Sequence, residues 1–309
     1  MQKQKIIAVV GPTSSGKSAL GIYLAQKLGG EVISADSRQV YKGLNLGTGK
    51  VTKKEMAGVP HHLLNVASPK KQFTADDFVK RATKVIDNID LPIVVGGTGF
   101  YVDTLLGRMS YPQVPPNPAL RVRLEKKSVA ALYKMLQDKD PARAKTIEPK
   151  HKRRIIRALE IAEYKLRQTT RARALQAARP ESTLASSSLA PQKYDILWLG
   201  LNPAPAKLKA NIRKRLNVRL KQGMVAEAKR LHKAGLSYTR MHELGLEYRS
   251  LARYLQNKIS KQGLFAEIER GNTKYAKRQL RWFKRNKDIR WVKNKTEALR
   301  LAKHFLSGR

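Results

Sequence analysis

Four short apolar runs alternate with longer stretches that show helical periodicity. The runs are Lys5–Val10, Glu31–Ser34, Pro92–Val95 and Asp195–Leu199. Short apolar runs are typical of buried strands, and their alternation with helices favours a parallel sheet with helices packed on its faces. The pattern therefore predicts an α/β fold, and ligands bind such a sheet at the carboxyl ends of its strands.

The loop after the first run has the pattern that binds phosphate groups. Its residues are Gly11, Pro12, Thr13, Ser14, Ser15, Gly16, Lys17 and Ser18, and a helical stretch follows. The pattern G-x-x-x-x-G-K-[ST] surrounds phosphate oxygens with backbone N–H groups, a helix N-terminus and a lysine ammonium, while the Ser18 hydroxyl is a candidate Mg²⁺ ligand. The loop predicts a P-loop core that holds a phosphate or diphosphate.

Two other loops should share this pocket because they also leave the carboxyl ends of strands. The loop Ala35–Tyr41 contains Asp36, a candidate general base or Mg²⁺ ligand, although a helix N-cap explains an aspartate here equally well. The loop Gly96–Gly99 is by itself a weak signal that favours a plain turn. His61-His62 has no third ligand cluster, so a loop position with a backbone hydrogen bond is favoured over a zinc site.

The chain becomes helical and basic after the Pro-rich segment Tyr111–Pro118, which cannot be helical and predicts a hinge. The stretch Lys150–Arg179 holds ten Lys or Arg residues and two Glu. Its apolar residues recur at helical spacing and predict a buried stripe: Ile155, Leu159, Ala162 and Leu166. Such an excess of one charge on the remaining face favours contact with RNA.

The strand predicted near Asp195–Leu199 returns the chain to the sheet, so the basic helical part is an insertion. We expect a core of residues 1–112 and 193–309 and an insertion of residues 113–192. The Ser- and Ala-rich segment Ser182–Pro191 predicts a mobile loop.

Two later stretches also predict helices. Ile212–Leu231 carries Arg215 and Arg219 one turn apart, a pair that can converge on a phosphate or lie on the surface. In Lys274–Arg285 two aromatic residues seven positions apart should pack inward, which leaves the basic residues outside.

The charge of the chain is unevenly distributed. Its 63 Lys and Arg against 23 Asp and Glu give a net charge of +40, of which +33 falls on residues 111–309. This concentration favours a surface that binds a polyanion. The chain has no cysteine, which excludes disulfides and thiolate metal sites. Because no secretory signal or bilayer-length apolar run is visible, we expect a cytoplasmic protein without a membrane partner.

In their order, these motifs resemble those of the bacterial tRNA dimethylallyltransferases, also called tRNA isopentenyltransferases. With Gly11–Ser18, the segments that carry the resemblance are Asp36–Tyr41, Gly47–Lys50, Pro60–Leu63, Gly96–Tyr101, Asn117–Arg121, Arg153–Glu160, Gly223–Glu227 and Tyr275–Phe283. The resemblance implies a P-loop NTPase-like parallel sheet flanked by helices, with an inserted, mostly helical tRNA-binding domain. It also implies transfer of a dimethylallyl group from dimethylallyl diphosphate to N6 of an adenosine next to the anticodon of tRNA, giving N6-dimethylallyladenosine and diphosphate.

The resemblance also implies residue roles. Asp36 would take a proton from the adenine amine, and Thr98 would hydrogen-bond the oxygen between the donor carbon and the leaving diphosphate. Lys17, Arg219 and, through Mg²⁺, Ser18 would neutralise the leaving group. The His242–Arg249 turn and the following residues would contact the tRNA: Asp36, Ser37, Arg38, Gln39, Thr98, Arg121, Arg153, Arg154, Ile155, Ile156, Arg157, Lys277, Arg278, Gln279, Arg281 and Lys284.

Two segments depart from the family pattern, and their roles stay open. Lys150-His151 replaces an Asn-Asp pair, and Gly245–Arg249 is a variant of a Gly-Tyr-Lys-Glu region. Three alternative functions also stay open: a small-molecule kinase, which does not need the basic second part; an RNA-binding nucleotide switch, which does not need a base at Asp36; and a prenyltransferase that acts on free adenylate. Binding of ATP at the loop is a further open possibility, and a monomer is expected.

Overall fold

The computed structural model describes residues 3–110, 112, 114–178 and 193–308. Contacts divide the chain into two compact units, Met1–Met109 with Ala190–Arg309, and Ser110–Leu189. The predicted mobile loop Ser182–Pro191 lies outside the described residues. None of the described helices is both long enough and apolar enough to cross a bilayer.

Six strands in the described part of the first unit form one parallel sheet. They are β1 (Gln4–Val10), β2 (Glu31–Ser34), β3 (His61–His62), β4 (Pro92–Gly96), β5 (Tyr194–Gly200) and β6 (Arg290–Trp291), in the spatial order β3-β2-β4-β1-β5-β6. The four predicted strands and the parallel α/β fold are confirmed. The edge strands β3 and β6 were not predicted because two residues are too few to show an apolar pattern.

Strand β1 lies at the centre of the sheet. It pairs with β4 from Ile7↔Ile93 onward, and with β5 over its whole length from Gln4↔Tyr194 onward. Its residues from position 6 to position 10 are all fully buried, because helices cover both faces of the sheet, as expected for a central parallel strand. The pairing with β5 confirms that the chain returns to the sheet after the insertion.

The helices follow the strands in the order expected for this fold. Before the insertion they are α1 (Lys17–Leu28), α2 (Lys53–Met56), α3 (Ala75–Ile86) and α4 (Gly99–Leu105). The second unit contains α5 (Pro118–Glu125), α6 (Val129–Lys139), α7 (Pro141–Thr146) and α8 (Lys152–Ala178). After β5 come α9 (Pro205–Lys221), α10 (Met224–Lys233), α11 (Tyr238–Leu244), α12 (Leu246–Leu255), α13 (Lys261–Phe283) and α14 (Lys295–Ser307).

Two details of the later elements differ from the prediction. The stretch Ile212–Leu231 is not one helix, because Gly223 with φ 96° separates α9 from α10. Pro118 is not part of a non-helical hinge but the first residue of α5, where the missing N–H costs no hydrogen bond.

The second unit has its own small core. Leucines of α5 and α6 pack against Ile155, Ile156 and Leu159 of α8. Leu166, predicted to continue this stripe, is 58% exposed. That prediction was wrong because the neighbouring helices cover only the first part of α8, and Leu159 is the last α8 residue in the described core.

Candidate active site

Three loops meet around one cavity at the carboxyl ends of β1, β2 and β4. The first loop contributes Thr13, Lys17 and Ser18, the second contributes Asp36, Arg38 and Gln39, and β4 with the third loop contributes Val95 and Gly96. The prediction that these loops share one pocket is confirmed.

The opposite wall of the cavity comes from distant parts of the chain. Helices α9, α12 and α13, together with a loop before α2 and strand β3, supply these residues: Thr48, Val51, His61, Arg215, Leu246, Glu247, Asn272, Tyr275 and Gln279. Sequence reasoning did not place Glu247 or Asn272 at the phosphate-binding loop, because neither follows a predicted strand; Glu247 was considered only within the variant segment Gly245–Arg249, whose role stayed open.

The phosphate-binding loop is built to receive negative charge. It enters α1 through Gly16, whose φ of 95° lies in the region that favours glycine. The ammonium of Lys17 donates to the Pro12 carbonyl at 3.2 Å. Burial lowers the pKa of Lys17 to about 8, an effect opposed by nearby Asp36 and increased by Arg215. A bound anion would restore the charged form of this lysine.

Two serine hydroxyls of the loop fit a diphosphate with Mg²⁺. The Ser18 side chain lines the cavity. The Ser15 Oγ atom is buried and has no hydrogen-bond partner among the described residues. Its hydroxyl could donate a hydrogen bond to an oxygen of a bound phosphate. Mg²⁺ usually takes one or two protein ligands and completes its shell with phosphate oxygens and water.

Asp36 lines the cavity and uses one carboxylate oxygen to hold the turn that follows it. Its Oδ1 atom accepts hydrogen bonds from the backbone N–H of Arg38 at 2.8 Å and of Gln39 at 3.3 Å. No helix begins at this position, so the alternative role as a helix N-cap is wrong, and the aspartate caps a turn instead. The Oδ2 atom accepts no hydrogen bond from the residues that the structure describes and is available to a proton.

Thr98 lies beside the cavity and precedes α4. Its Oγ1 atom accepts a hydrogen bond from the Ser37 N–H at 3.0 Å and donates to the Ser37 Oγ atom at 3.4 Å, and Tyr275 lies near it. Burial, with a contribution from Asp36, raises the pKa of Tyr275 to about 12. Thr98 is not among the residues that line the cavity, so its contact with the donor stays a prediction.

Gln279 joins the first and third loops. Its Oε1 atom accepts from the Thr13 N–H at 2.8 Å, and its Nε2 atom donates to the Gly97 carbonyl at 2.7 Å. The side chain is buried and lines the cavity, unlike its exposed neighbours on α13, and the contact of Gln279 with tRNA stays a prediction.

We expect Gln279→Leu to weaken diphosphate binding about tenfold, because both hydrogen bonds that hold the loops together are lost. Titration calorimetry with diphosphate and Mg²⁺ measures this effect. Gln26→Leu, which removes an exposed side-chain bond to the Ala57 carbonyl, is the control and should bind normally. Equal affinities of the two variants would show that the link between the loops does not position the phosphate site.

Arg219 does not reach the cavity. Its Nη1 atom donates to the carbonyls of Leu46 and Gly47, both at 3.1 Å, and to Glu247 at 3.2 Å. The prediction that Arg219 binds diphosphate is therefore wrong. Arg215, one turn earlier on α9, lines the cavity and donates from Nη2 to the carbonyl of Gly49 at 2.6 Å. Burial, with Arg219 nearby, lowers the pKa of Arg215, so this cation also favours an anionic ligand.

The family model that matches this chain is that of IPP transferase, over residues 39–286. The chain belongs to this family. A tRNA dimethylallyltransferase 2 of Treponema denticola is 39% identical over 94% of this chain and 96% of its own length. A tRNA dimethylallyltransferase of Carboxydothermus hydrogenoformans is 37% identical over 96% and 94%.

Solved structures of IPP transferases have the same fold. The full-length tRNA isopentenylpyrophosphate transferase of Bacillus halodurans superposes with a TM-score of 0.69 at 31% identity, covering 99% of this chain and 96% of its own. A eukaryotic dimethylallyltransferase described as acting on tRNA gives a TM-score of 0.80 at 26% identity, covering 99% and 80%. The resemblance seen in the motifs and the fold that it implied are confirmed.

Four of the residues expected to contact tRNA have structural roles in the second unit: Arg121, Ile155, Ile156 and Arg157. Glu160 accepts hydrogen bonds from Arg121 at 2.8 and 2.9 Å, from Arg157, and from the Asn117 N–H at 2.5 Å. Burial raises the pKa of Glu160, but these hydrogen bonds outweigh burial and hold the pKa below its usual range. That Arg121 and Arg157 contact tRNA stays a prediction. Both side chains already bind the Glu160 carboxylate.

The side chains of Ile155 and Ile156 are 0% and 4% exposed, so the prediction that they contact tRNA is wrong. Six of the expected cations are exposed: Arg153 and Arg154 on α8, and Lys277, Arg278, Arg281 and Lys284 on α13 and its C-cap. These six remain available for phosphate groups. His61 and His62 lie in β3 rather than in a loop, and the predicted backbone hydrogen bond is present from His61 to the Val59 carbonyl at 2.8 Å.

Proposed function

We propose that this chain transfers a dimethylallyl group from dimethylallyl diphosphate to N6 of an adenosine next to the anticodon of tRNA. The observation that carries the proposal is one cavity that both the phosphate-binding loop and Asp36 line, with one Asp36 carboxylate oxygen that accepts no hydrogen bond from the described residues. A nucleotide switch would share the loop but would not need that base, and a small-molecule kinase would not need the positive charge concentrated on residues 111–309. The relatives named for this activity match over nearly the whole chain.

The reaction is a displacement at C1 of the donor. The adenine N6 lone pair forms the new N–C1 bond, the C1–O bond breaks, and its electron pair leaves with the diphosphate. Asp36 accepts a proton from N6 as the nitrogen becomes cationic. Lys17, Arg215 and the N–H groups of the loop neutralise the leaving group, and Thr98 contacts its bridging oxygen. Mg²⁺ held by Ser18 supplies further charge neutralisation when bound.

The tRNA would bind through its anticodon arm. The supporting feature is the set of exposed cations on α8 and α13, with the concentration of positive charge on residues 111–309. The target base must leave its stack to enter the cavity, where Arg38 and Gln39 would meet it. We propose a cytoplasmic enzyme because its substrate is tRNA, and the expected monomer stays a prediction.

Transfer of labelled dimethylallyl groups tests the proposed function. The protein is incubated with Mg²⁺, dimethylallyl diphosphate labelled in its carbon chain, unmodified tRNA and AMP, and the RNA is digested to nucleosides. We expect label in N6-dimethylallyladenosine from tRNA only. Label in AMP would contradict the tRNA substrate, and in a parallel reaction transfer of phosphate from ATP would indicate a kinase.

We expect the double variant Arg153→Gln/Arg154→Gln to bind tRNA about tenfold more weakly at moderate salt. The magnitude of the slope of log K against log salt concentration should fall by about 1 to 2. The variant makes fewer phosphate contacts, so its binding releases fewer counterions from the RNA. Fluorescence anisotropy at several salt concentrations measures both quantities. Lys80→Gln/Lys193→Gln removes the same charge from exposed lysines paired with acids and is the control. An unchanged slope would show that Arg153 and Arg154 face solvent and do not contact tRNA.

A further inference from the structure

A second carboxylate, Glu247, lies in the cavity with Asp36. Its side chain is 11% exposed, and all of its hydrogen bonds fall on one oxygen. Oε1 accepts from Nη1 and Nη2 of Arg219, both at 3.2 Å, and from Nδ2 of Asn272 at 3.1 Å. Oε2 accepts no hydrogen bond from the part of the chain that the structure describes. It is not sealed in the interior either, because the buried atoms without partners do not include it.

A strained backbone joint places this carboxylate at the cavity wall. Between α11 and α12, Gly245 has φ 71° and the next residue, Leu246, has φ 43°. Leucine rarely adopts this left-handed conformation, and residues held in it cluster at functional sites. Leu246 and Glu247 both line the cavity. The joint therefore orients the start of α12, and Arg219 and Asn272 then fix one carboxylate oxygen while the other stays open.

The ligands of the proposed reaction differ in whether they can use a fixed acceptor. A diphosphate is anionic and an isoprenyl chain has no polar hydrogen, so neither is a partner for Oε2. An adenosine within an RNA chain carries two kinds of donor, the exocyclic amine and the ribose 2′-hydroxyl. The target nucleoside is thus the ligand whose chemistry fits this oxygen.

We propose that Oε2 of Glu247 accepts a hydrogen bond from the target nucleoside and helps to select it. The donor is either the 2′-hydroxyl or the amine hydrogen that Asp36 does not take. The proposal rests on the proposed function, because it requires an adenosine in the cavity. It assigns to Glu247 a contact with the acceptor substrate, distinct from the proton transfer assigned to Asp36.

The matched pair Glu247→Gln and Glu227→Gln tests the proposal. Glu227 is also buried, and it accepts hydrogen bonds from the backbone N–H groups of residues 45 to 47 at 2.8 to 3.1 Å. Arg219, the partner of Glu247, binds carbonyls of the same loop. Glu227 does not line the cavity. Kinetic constants are measured for both variants and the wild type. The acceptors are tRNA and the same tRNA with a 2′-deoxy target nucleoside.

We expect Glu247→Gln to lower kcat/KM for tRNA about tenfold more than Glu227→Gln does, with the KM for dimethylallyl diphosphate changed less than about twofold. If the 2′-hydroxyl is the donor, kcat/KM should be about tenfold lower for the deoxy substrate than for tRNA with the wild type and with Glu227→Gln. With Glu247→Gln the two substrates should have the same kcat/KM. If the amine is the donor, the deoxy effect is the same for all three proteins and the loss in Glu247→Gln falls on kcat.

Equal kinetics of the two variants with an active wild type would overturn this proposal alone. A defect of Glu247→Gln that disappears at high Mg²⁺ would place the carboxylate on the metal and would also overturn it. A wild type that transfers no label to tRNA would overturn the proposed function, and this proposal with it.

Discussion

Replacing Asp36 by Asn should lower kcat about a thousandfold while the affinity for tRNA stays within about twofold of the wild type. The amide keeps an oxygen for the N–H groups of Arg38 and Gln39, so the turn should persist. It cannot accept a proton from N6, and loss of a general base typically costs about 10² to 10⁴ in rate. Single-turnover kinetics and tRNA binding on the same preparation separate the two effects.

Asp103→Asn is the matched control for this variant. Asp103 has a half-buried carboxyl that accepts a hydrogen bond from Trp282 at 2.7 Å and does not line the cavity. Burial raises the pKa of Asp103, and asparagine keeps an oxygen that can accept the hydrogen bond from Trp282. The control should keep near-normal turnover. A normal rate in Asp36→Asn would remove the base from the proposed mechanism.

Replacing Lys17 by Met should lower kcat/KM for the donor about a thousandfold. The lysine is the cation of the phosphate-binding loop, and loss of one preorganised charge at a leaving group costs about 10² to 10³ or more. Lys50→Met is the control. Lys50 is also buried with a pKa lowered to about 8 by burial, but it donates to the Tyr41 carbonyl and to Asn65. Its loss should reduce stability by about 1 to 3 kcal/mol and spare donor binding.

The same pair gives a test by pH. In the free protein Lys17 has a pKa lowered to about 8, and a bound diphosphate favours its protonated form. Diphosphate affinity should therefore be level below pH 8 and should fall as the pH rises above 8, because binding then requires uptake of a proton. This decline should be absent in Lys17→Met and present in Lys50→Met. A decline retained in Lys17→Met would assign it to another group.

The sequence predicted the parts of the site that follow strands directly. An apolar run such as Lys5–Val10 and the turn after it are local signals, and parallel strands bring their carboxyl ends to one edge. The cavity residues Lys17 and Asp36 could be placed for that reason. The wall formed by Glu247 and Asn272 comes from more than 200 positions away from the phosphate-binding loop in the chain, and no local pattern indicates which face of a distant helix closes a pocket.

The wrong residue assignments share one cause, which is that a motif does not reveal burial. Arg215 and Arg219 lie one turn apart on α9, and only the packing of the loop before α2 shows that the first reaches the cavity. Ile155 and Ile156 belong to a motif rich in arginine, but their apolar side chains form the core of the second unit.

A crystal structure of the protein with Mg²⁺, the anticodon stem-loop of an unmodified tRNA and the thiolodiphosphate analogue of the donor, whose C–S bond resists cleavage, tests the central claim most directly. We expect the diphosphate oxygens on the N–H groups of Gly11–Ser18 and on Lys17 and Arg215. The donor C1 should face an unstacked adenine whose N6 lies within hydrogen-bond distance of Asp36 Oδ2. A diphosphate bound outside the loop, or an adenine that remains stacked in the RNA, would contradict the account.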